Sequence, residues 1–225
     1  MRTARSSASR TSERNEAIRW SRGILRALLQ YRPTTTEAIE PFLLIEEGRP
    51  CSDALFADAR RILRAQPYLA DAEVRASRDA AGVLHVIVET EDEIPLIIGG
   101  GLRDGRPSSF EYGNGNIAGR GIAAVGSWRD GYAYRDAFGV ELAHYHLAGR
   151  NRARLELLRG VHDERYAASL TRPYFVESQR LSWHVGVGRS EGYVGYLRPE
   201  EPTLSLATER DQAEAGAVFR IGSRA

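Results

Sequence analysis

The chain has 225 residues, of which 42% are hydrophobic, 27% charged and 8% aromatic, and its formal net charge is +1. That length allows one large domain or two small ones, the apolar fraction excludes wholesale disorder, and the charge balance gives no footing for a nucleic-acid partner. All 31 basic residues are Arg, since no Lys occurs, which excludes a phosphate-loop lysine, Schiff-base chemistry and a Ser–Lys dyad. Cys51 stands alone, so an internal disulfide and any multi-Cys zinc or iron–sulfur site are excluded.

No run approaches the ~18 apolar residues of a membrane-spanning helix. The basic start, MRTARSSASRTSERNEAIRWSRG, has no apolar stretch ahead of a small-residue cleavage site. These features suit a cytoplasmic protein or a chain whose true start lies elsewhere. A β-barrel escapes the helix test, because its strands need only ~9–11 residues of alternating polarity.

In chain order, residues 1–37 read as a basic extension. Residues 1–12 offer almost nothing to bury and are expected to be disordered. From Glu13 to Tyr31, the residues Trp20, Ile24, Ala27, Leu28 and Tyr31 recur at helical spacing. The Arg residues between them suit a membrane surface, but a helix docked on its own protein accounts for the pattern more simply.

Residues 38–92 read as a small strand–helix–hairpin unit. Ile39 to Ile45 is an apolar strand, Ser52 is an N-cap, and Leu55, Phe56, Ala59, Ile62 and Leu63 mark one helix face. Pro67 ends that helix. Two alternating runs follow, Ala72 to Ser77 and Leu84 to Glu89, with Asp79 to Gly82 as the turn.

From residue 93 to 225 helical periodicity gives way to alternating runs between glycine-rich turns. Strands are expected at 94–102, 110–116, 121–129, 139–147, 152–158, 166–174 and 181–187. Residues 199–215, with their Pro and acidic clusters, read as a loop, and Ala217 to Ile221 as the start of one more strand. One face of each run is apolar and the other small or polar. This suits a sheet with one wet side, or a barrel with lipid outside and water inside.

Three motifs invite a chemical reading. Gly113-Asn-Gly115-Asn-Ile-Ala118 matches the dinucleotide fingerprint, but that motif works only where a strand opens into a helix, and here another β run follows. Glycines at a strand bend account for it better. His144-Tyr-His146 puts two imidazoles on one strand face at metal-ligand spacing, as in cupin barrels. The Glu that a cupin places a few residues later is replaced by Arg150 and Asn151. Gly99-Gly-Gly101 without Lys is not a phosphate loop.

The order of a small α/β unit and glycine-rich antiparallel strands resembles the outer-membrane assembly barrel superfamily, the BamA and TamA group. The stretch from Phe42 to Val74, "FLLIEEGRPCSDALFADARRILRAQPYLADAEV", is similar to a POTRA repeat, including the break at Pro67 and Tyr68. "GVLHVIVETEDE" resembles the last POTRA strand running into a barrel. "IGGGLRDGRPSSFEYGNGNIAGRG" resembles the first barrel strand and the Asn-x-x-Gly-x-Gly of the second, here Asn116, Gly119 and Gly121. Arg172, Pro173 and Tyr174 resemble the Arg-Pro-Phe stretch before a later strand.

The resemblance implies an α+β unit followed by part of an antiparallel transmembrane β-barrel of six to eight strands. The family barrel has about sixteen, so a piece of a longer protein is expected. It implies an outer-membrane protein, with residues 38–92 periplasmic, that inserts or translocates β-strand polypeptides and is not an enzyme. The clients would be unfolded or extended polypeptides, the surroundings outer-membrane lipid, and further partners accessory assembly proteins, without cofactor or metal. The device would be strand augmentation at an open edge, placed at Ala72, Glu73, Val74, Arg75, Ala76 and Ser77. The alternatives are a soluble cupin-like metal enzyme using His144 and His146, and a cytoplasmic binding module.

Overall fold

The computed structural model describes residues 31–45, 48, 51–130, 136–160, 163–173, 179–198 and 201–221, leaving out the side chains of 193–198 and 201–206. The expected helix before Tyr31, the expected disorder of residues 1–12, and Tyr174 lie outside the described residues.

Where a strand is expected at Ile39 to Ile45, the chain is helical. A four-residue helix α1 (Thr36–Ile39) runs into a 3-10 turn, Glu40–Phe42, and then into irregular backbone. Pro41 explains the difference. It stands in the first turn of the 3-10 segment, where its missing N–H costs nothing and its fixed φ suits a helical turn. Helical spacing also carries both Ala38 and Phe42 into full burial. The unit is therefore helical turn, helix and hairpin, with no third strand among the described residues.

The next helix follows the sequence closely. α2 (Asp53–Arg64) starts where Ser52 Oγ accepts the Leu55 amide at 3.3 Å, with Asp53 in the first turn and Arg61 and Arg64 in the last. Such a cap stabilises by about 1 kcal/mol, and the charges oppose the helix dipole with the right sign. Its buried face, Ala59, Ile62 and Leu63, packs with Phe42, Tyr68, Leu69, Ala72 and Val74 in the main hydrophobic core.

β1 (Leu69–Arg78) and β2 (Leu84–Asp92) form a two-stranded antiparallel sheet, joined where the Asp79 amide donates to Val83 O at 3.0 Å. The remaining strands build one eight-stranded antiparallel meander, each paired with its neighbours in sequence. They are β3 (Leu96–Arg103), β4 (Arg106–Asn114), β5 (Ile122–Arg129), β6 (Ala137–Leu147), β7 (Asn151–Arg159), β8 (Glu164–Arg172), β9 (Leu181–Arg198) and β10 (Glu201–Phe219). The sheet is open: β3 and β10 are its two edges and do not pair with each other.

The expected loop at 199–215 is overturned. β9 continues from the expected strand end at Val187 to Arg198, and β10 runs back beside it from Glu201 to Phe219. Part of the acidic cluster that suggested a loop is paired on the strands. Glu191 and Glu209 stand opposite each other, and Arg189 pairs with both. The small residues Ala213, Ala215 and Ala217 alternate with Gln212, Glu214 and Gly216, which is strand periodicity without bulky markers.

Candidate functional site

Cross-strand register separates the large sheet into two chemically different faces. One row runs Ala124, Leu142, Leu155, Ala168, Val187, Ala213, and the next Ile122, His144, Ala153, Leu170, Val185, Ala215. Phe110, Trp128 and Phe138 pair side by side toward one end of this face, and Trp183 stands at the other. Because side chains alternate, all of these project to one side. That side is exposed: Ile98 is 63% accessible, Phe138 63% and Val187 62%. An open groove of about 750 Å³ is lined by Leu142, Leu155, Ala168, Leu170, Val185 and Ala213, among others.

The opposite face carries Glu141, Glu156, Arg154, Arg165, Ser169, Gln212 and Glu214. Here Arg154 pairs with Glu141 at 2.7 Å and Arg165 with Glu156 at 3.7 Å. Glycines make room for these side chains; a Cβ on Gly186 would lie 2.9 Å from Glu214 Oε1.

The small hairpin supplies a second feature, an open strand edge. The turn bond at Asp79 sets the ladder phase, so Ser77, Arg75, Glu73 and Asp71 bond to β2. The backbone of Ala72, Val74 and Ala76 then faces outward from the hairpin. At Ala72 the edge is occupied, because Asp71 Oδ1 accepts its amide at 2.8 Å and Arg64 Nε donates to its carbonyl at 3.0 Å. Arg64 is held by Asp71 at 2.6 Å and by Glu73 at 2.7 Å. Of the six expected edge residues, only Val74 and Ala76 therefore present backbone groups outward without a side-chain plug. Val74 is buried and Ala76 exposed.

The motif residues Tyr68, Asn116, Gly119 and Gly121, scattered over the sequence, meet where the small unit joins the sheet. Asn116 is 4% exposed. Its Oδ1 accepts the Gly121 amide at 2.8 Å and its Nδ2 donates to Thr34 Oγ1 at 2.8 Å. Gly119 has φ +72°, and its carbonyl accepts the Thr35 amide at 2.8 Å. A Cβ there would overlap the Pro33 carbonyl oxygen. A Cβ on Gly121, at φ +59°, would meet His146 Cδ2 at 2.9 Å and Tyr68 Cε1 at 3.1 Å. Tyr68 donates its hydroxyl to Ala38 O at 2.8 Å, and burial pushes its phenol well above the usual tyrosine range. Pro67 sits in the turn between α2 and β1.

Arg172 ends β8, opposite Trp183, and Pro173 accepts at its carbonyl from Gln179 Nε2 at 2.9 Å.

Other residues of the junction carry no sequence signal that would single them out. Asp92 Oδ2 accepts from the Thr34 amide at 3.1 Å and from the Tyr31 hydroxyl at 2.8 Å. Arg152 reaches Gln66 Oε1 at 3.3 Å and lies 5.8 Å from the Tyr145 ring centroid. Thr34 reads only as part of a helix-breaking run, and Arg64 as the end of the Arg60 to Arg64 segment that is similar to a POTRA helix.

The two histidines of the cupin-like reading have local partners. His146 Nε2 donates to Arg120 O at 2.7 Å, and His144 Nδ1 accepts the His146 amide at 3.4 Å. Among the described residues no three metal-ligating side chains gather. The dinucleotide-like stretch leads into a three-residue 3-10 turn, Ile117–Gly119, and then β5.

No protein-family model matches the chain, and no curated protein matches it. It is similar to the crystal structure of BamA from Haemophilus ducreyi lacking POTRA domains 1–3, at a TM-score of 0.46 and 14% identity. The match covers 86% of this chain and 43% of that one, so the chain spans less than half of that structure's length. The described architecture is mostly antiparallel β-sheet, and its eight-stranded sheet is not closed into a barrel.

Proposed function

We propose that this chain is an outer-membrane β-sheet protein that serves in the insertion or translocation of β-strand polypeptides. Its apolar sheet face lies against lipid and its charged face toward water. The α/β unit at 38–92 takes the POTRA role in the periplasm, and extended clients, together with accessory assembly proteins, are its partners.

The observation that carries this reading is the separation of faces across eight strands. Apolar side chains from every strand of a monomeric soluble sheet are normally covered; here Ile98, Phe110, Phe138 and Val187 on the apolar side are more than half exposed. Lipid is the solvent in which such a face has no cost, and charged residues on that side, Arg159, Glu164, Arg189, Glu191, Glu209 and Asp211, gather at one end of it, beyond Val187. From Phe138 to His144 or from Tyr166 to Arg172 the face spans six residue steps along the strand. At ~3.3 Å per residue that is about 20 Å, close to the apolar band of an outer-membrane strand.

The test uses Trp128 and Trp183, both on the apolar face. The full chain carrying Trp20→Phe is reconstituted in vesicles whose phosphatidylcholine acyl chains are brominated. Strong quenching of tryptophan emission by the brominated chains, with weak quenching by aqueous acrylamide, is expected. The reverse pattern overturns the lipid reading.

A further inference from the structure

β2 is bonded along one side only. The phase that turns Ala72, Val74 and Ala76 of β1 away from the hairpin turns their register partners Thr90, Val88 and Val86, and Leu84 beyond them, outward on the opposite edge. Among the described residues nothing bonds to the backbone of these residues on that edge, whereas Arg64 plugs the β1 edge at Ala72. The strand is also poorly covered. None of its residues is buried, and Leu84 and Ile87 are 37% and 36% exposed. From Leu84 to Thr90 it carries no Pro, Lys or bulge that would blunt an open edge, so it is a template for one more strand.

The sequence of β2 fits that strand to a copy of itself. Laid antiparallel about a two-fold axis through Ile87, it sets Val86 against Val88 and Leu84 against Thr90. These are the outward-facing residues, so each such pair can exchange both backbone bonds. Their side chains lie on the core side, where Val86 and Val88 already pack at the margin of the hydrophobic core. On the other side of the strand Ile87 meets Ile87, and His85 meets the Glu89 carboxylate of the second copy. No like charges stand opposite each other in this register. An axis at Glu89 would set two carboxylates face to face, which is unfavourable.

We propose that the outer edge of β2 is a homodimer interface, where two copies of this chain join antiparallel about Ile87 and their hairpins form one continuous sheet. The interface stands on the small unit alone and is independent of the lipid reading of the large sheet.

The test uses the full chain in detergent. In a Cys51→Ser background an engineered cysteine is the sole one. Ile87→Cys lies on the axis at a non-hydrogen-bonded pair, where Cα atoms are ~4.5 Å apart and a disulfide can close. His85→Cys and Glu89→Cys each stand four residues from their own copies, ~13 Å along the strand and too far to bridge. Mild oxidation is expected to convert Ile87→Cys into a covalent dimer and to leave the other two at background. Light scattering should find two copies per particle for wild type and one for Ile87→Glu, which sets like charges on the axis at an exposed position and leaves the core intact. A wild type with one copy per particle overturns the proposal. If that single copy binds an extended peptide and Ile87→Glu does not, the edge belongs to a client strand instead. A dimer that survives Ile87→Glu, with no cross-link in Ile87→Cys, also overturns it and moves the contact to another edge. Cross-linking equal at all three positions overturns the register and with it the proposal.

Discussion

Asn116 Oδ1 accepts the amide of Gly121 across the Ile117–Gly119 turn, at 2.8 Å, while the same side chain donates to Thr34. One buried amide thus closes a sheet turn and ties the chain ahead of α1 to it. An aspartate at this position keeps the acceptor for Gly121 and can take the Thr34 hydroxyl as donor. An alanine leaves the buried Gly121 amide unpaired, at about 1–3 kcal/mol, and takes a partner from the half-buried Thr34 hydroxyl. Asn116→Ala is therefore expected to lower unfolding stability in denaturant titration by at least about 1–3 kcal/mol, and Asn116→Asp by clearly less. Equal losses would mean that shape, not hydrogen bonding, fixes the turn.

Gly119 meets two demands together, a left-handed backbone and close approach of Pro33. Gly119→Ala should cost about 1–3 kcal/mol for the strained backbone alone, and more for the overlap. The expected sign is local: the Thr35–Gly119 bond opens, and limited proteolysis cuts near residue 35 while the large sheet stays protected. Gly126→Ala is the control, since a Cβ there meets only Tyr112 O, at 3.8 Å. Simultaneous loss of all protection would show instead that the small unit and sheet unfold together.

Tyr68 ties pH to the same junction. Its folded pKa is raised above the unfolded value by burial, so its contribution is whole below about pH 10 and falls away as alkali ionises the unfolded chain first. Tyr68→Phe should cost about 1 kcal/mol at neutral pH, for the lost bond to Ala38 O, and should flatten the alkaline limb of the stability curve. An alkaline limb unchanged in the variant would assign it to other groups.

The opposite sign holds at the hairpin turn. The hydrogen bond from His85, followed by the Val83 amide, holds the Asp79 carboxyl below its usual range. Its stabilisation is present above the unfolded value near 3.9 and fades as pH falls through the lower folded value. Amide exchange at Val83 should accelerate in that acid window in wild type. In Asp79→Asn it should be faster at neutral pH and nearly independent of acid.

How much of this was legible follows residue by residue. Ser52, the apolar stripe of α2 and the alternation of β3 to β8 are local signals with one physical cause each, and they place those elements within a few residues. Ile39 to Ile45 misleads because a short apolar run does not carry a period, and Pro41 in its middle turns it helical. Residues 199–215 mislead because strand β10 is built from Ala, Gly and charged residues whose partners, Arg189 above all, lie on the neighbouring strand. The junction is half-legible: Asn116, Gly119 and Gly121 stand out as a spaced motif, but their partners Thr34 and Tyr68 are distant in sequence. The faces are written in the alternation itself, whereas the plug on the β1 edge depends on Arg64 reaching over from a helix.

That plug makes the augmentation idea testable on two sides. Ala76 turns its backbone outward and its side chain to solvent, so Ala76→Pro removes one edge donor without emptying the core, unlike a change at the buried Val74. One lost hydrogen bond, at about 1 kcal/mol, corresponds to roughly a five- to tenfold weaker grip on an extended peptide. Arg64→Ala frees the Ala72 carbonyl and removes exposed ion pairs that contribute little stability. It lengthens the open edge, so it should bind the same peptide more tightly. The measurement is fluorescence anisotropy of a labelled, alternating hydrophobic peptide titrated with the full chain in detergent. Opposite shifts for the two variants identify β1 as the client strand's partner. Unchanged affinity in both would move the client to another edge, β3 or β10, where the large sheet also ends unpaired.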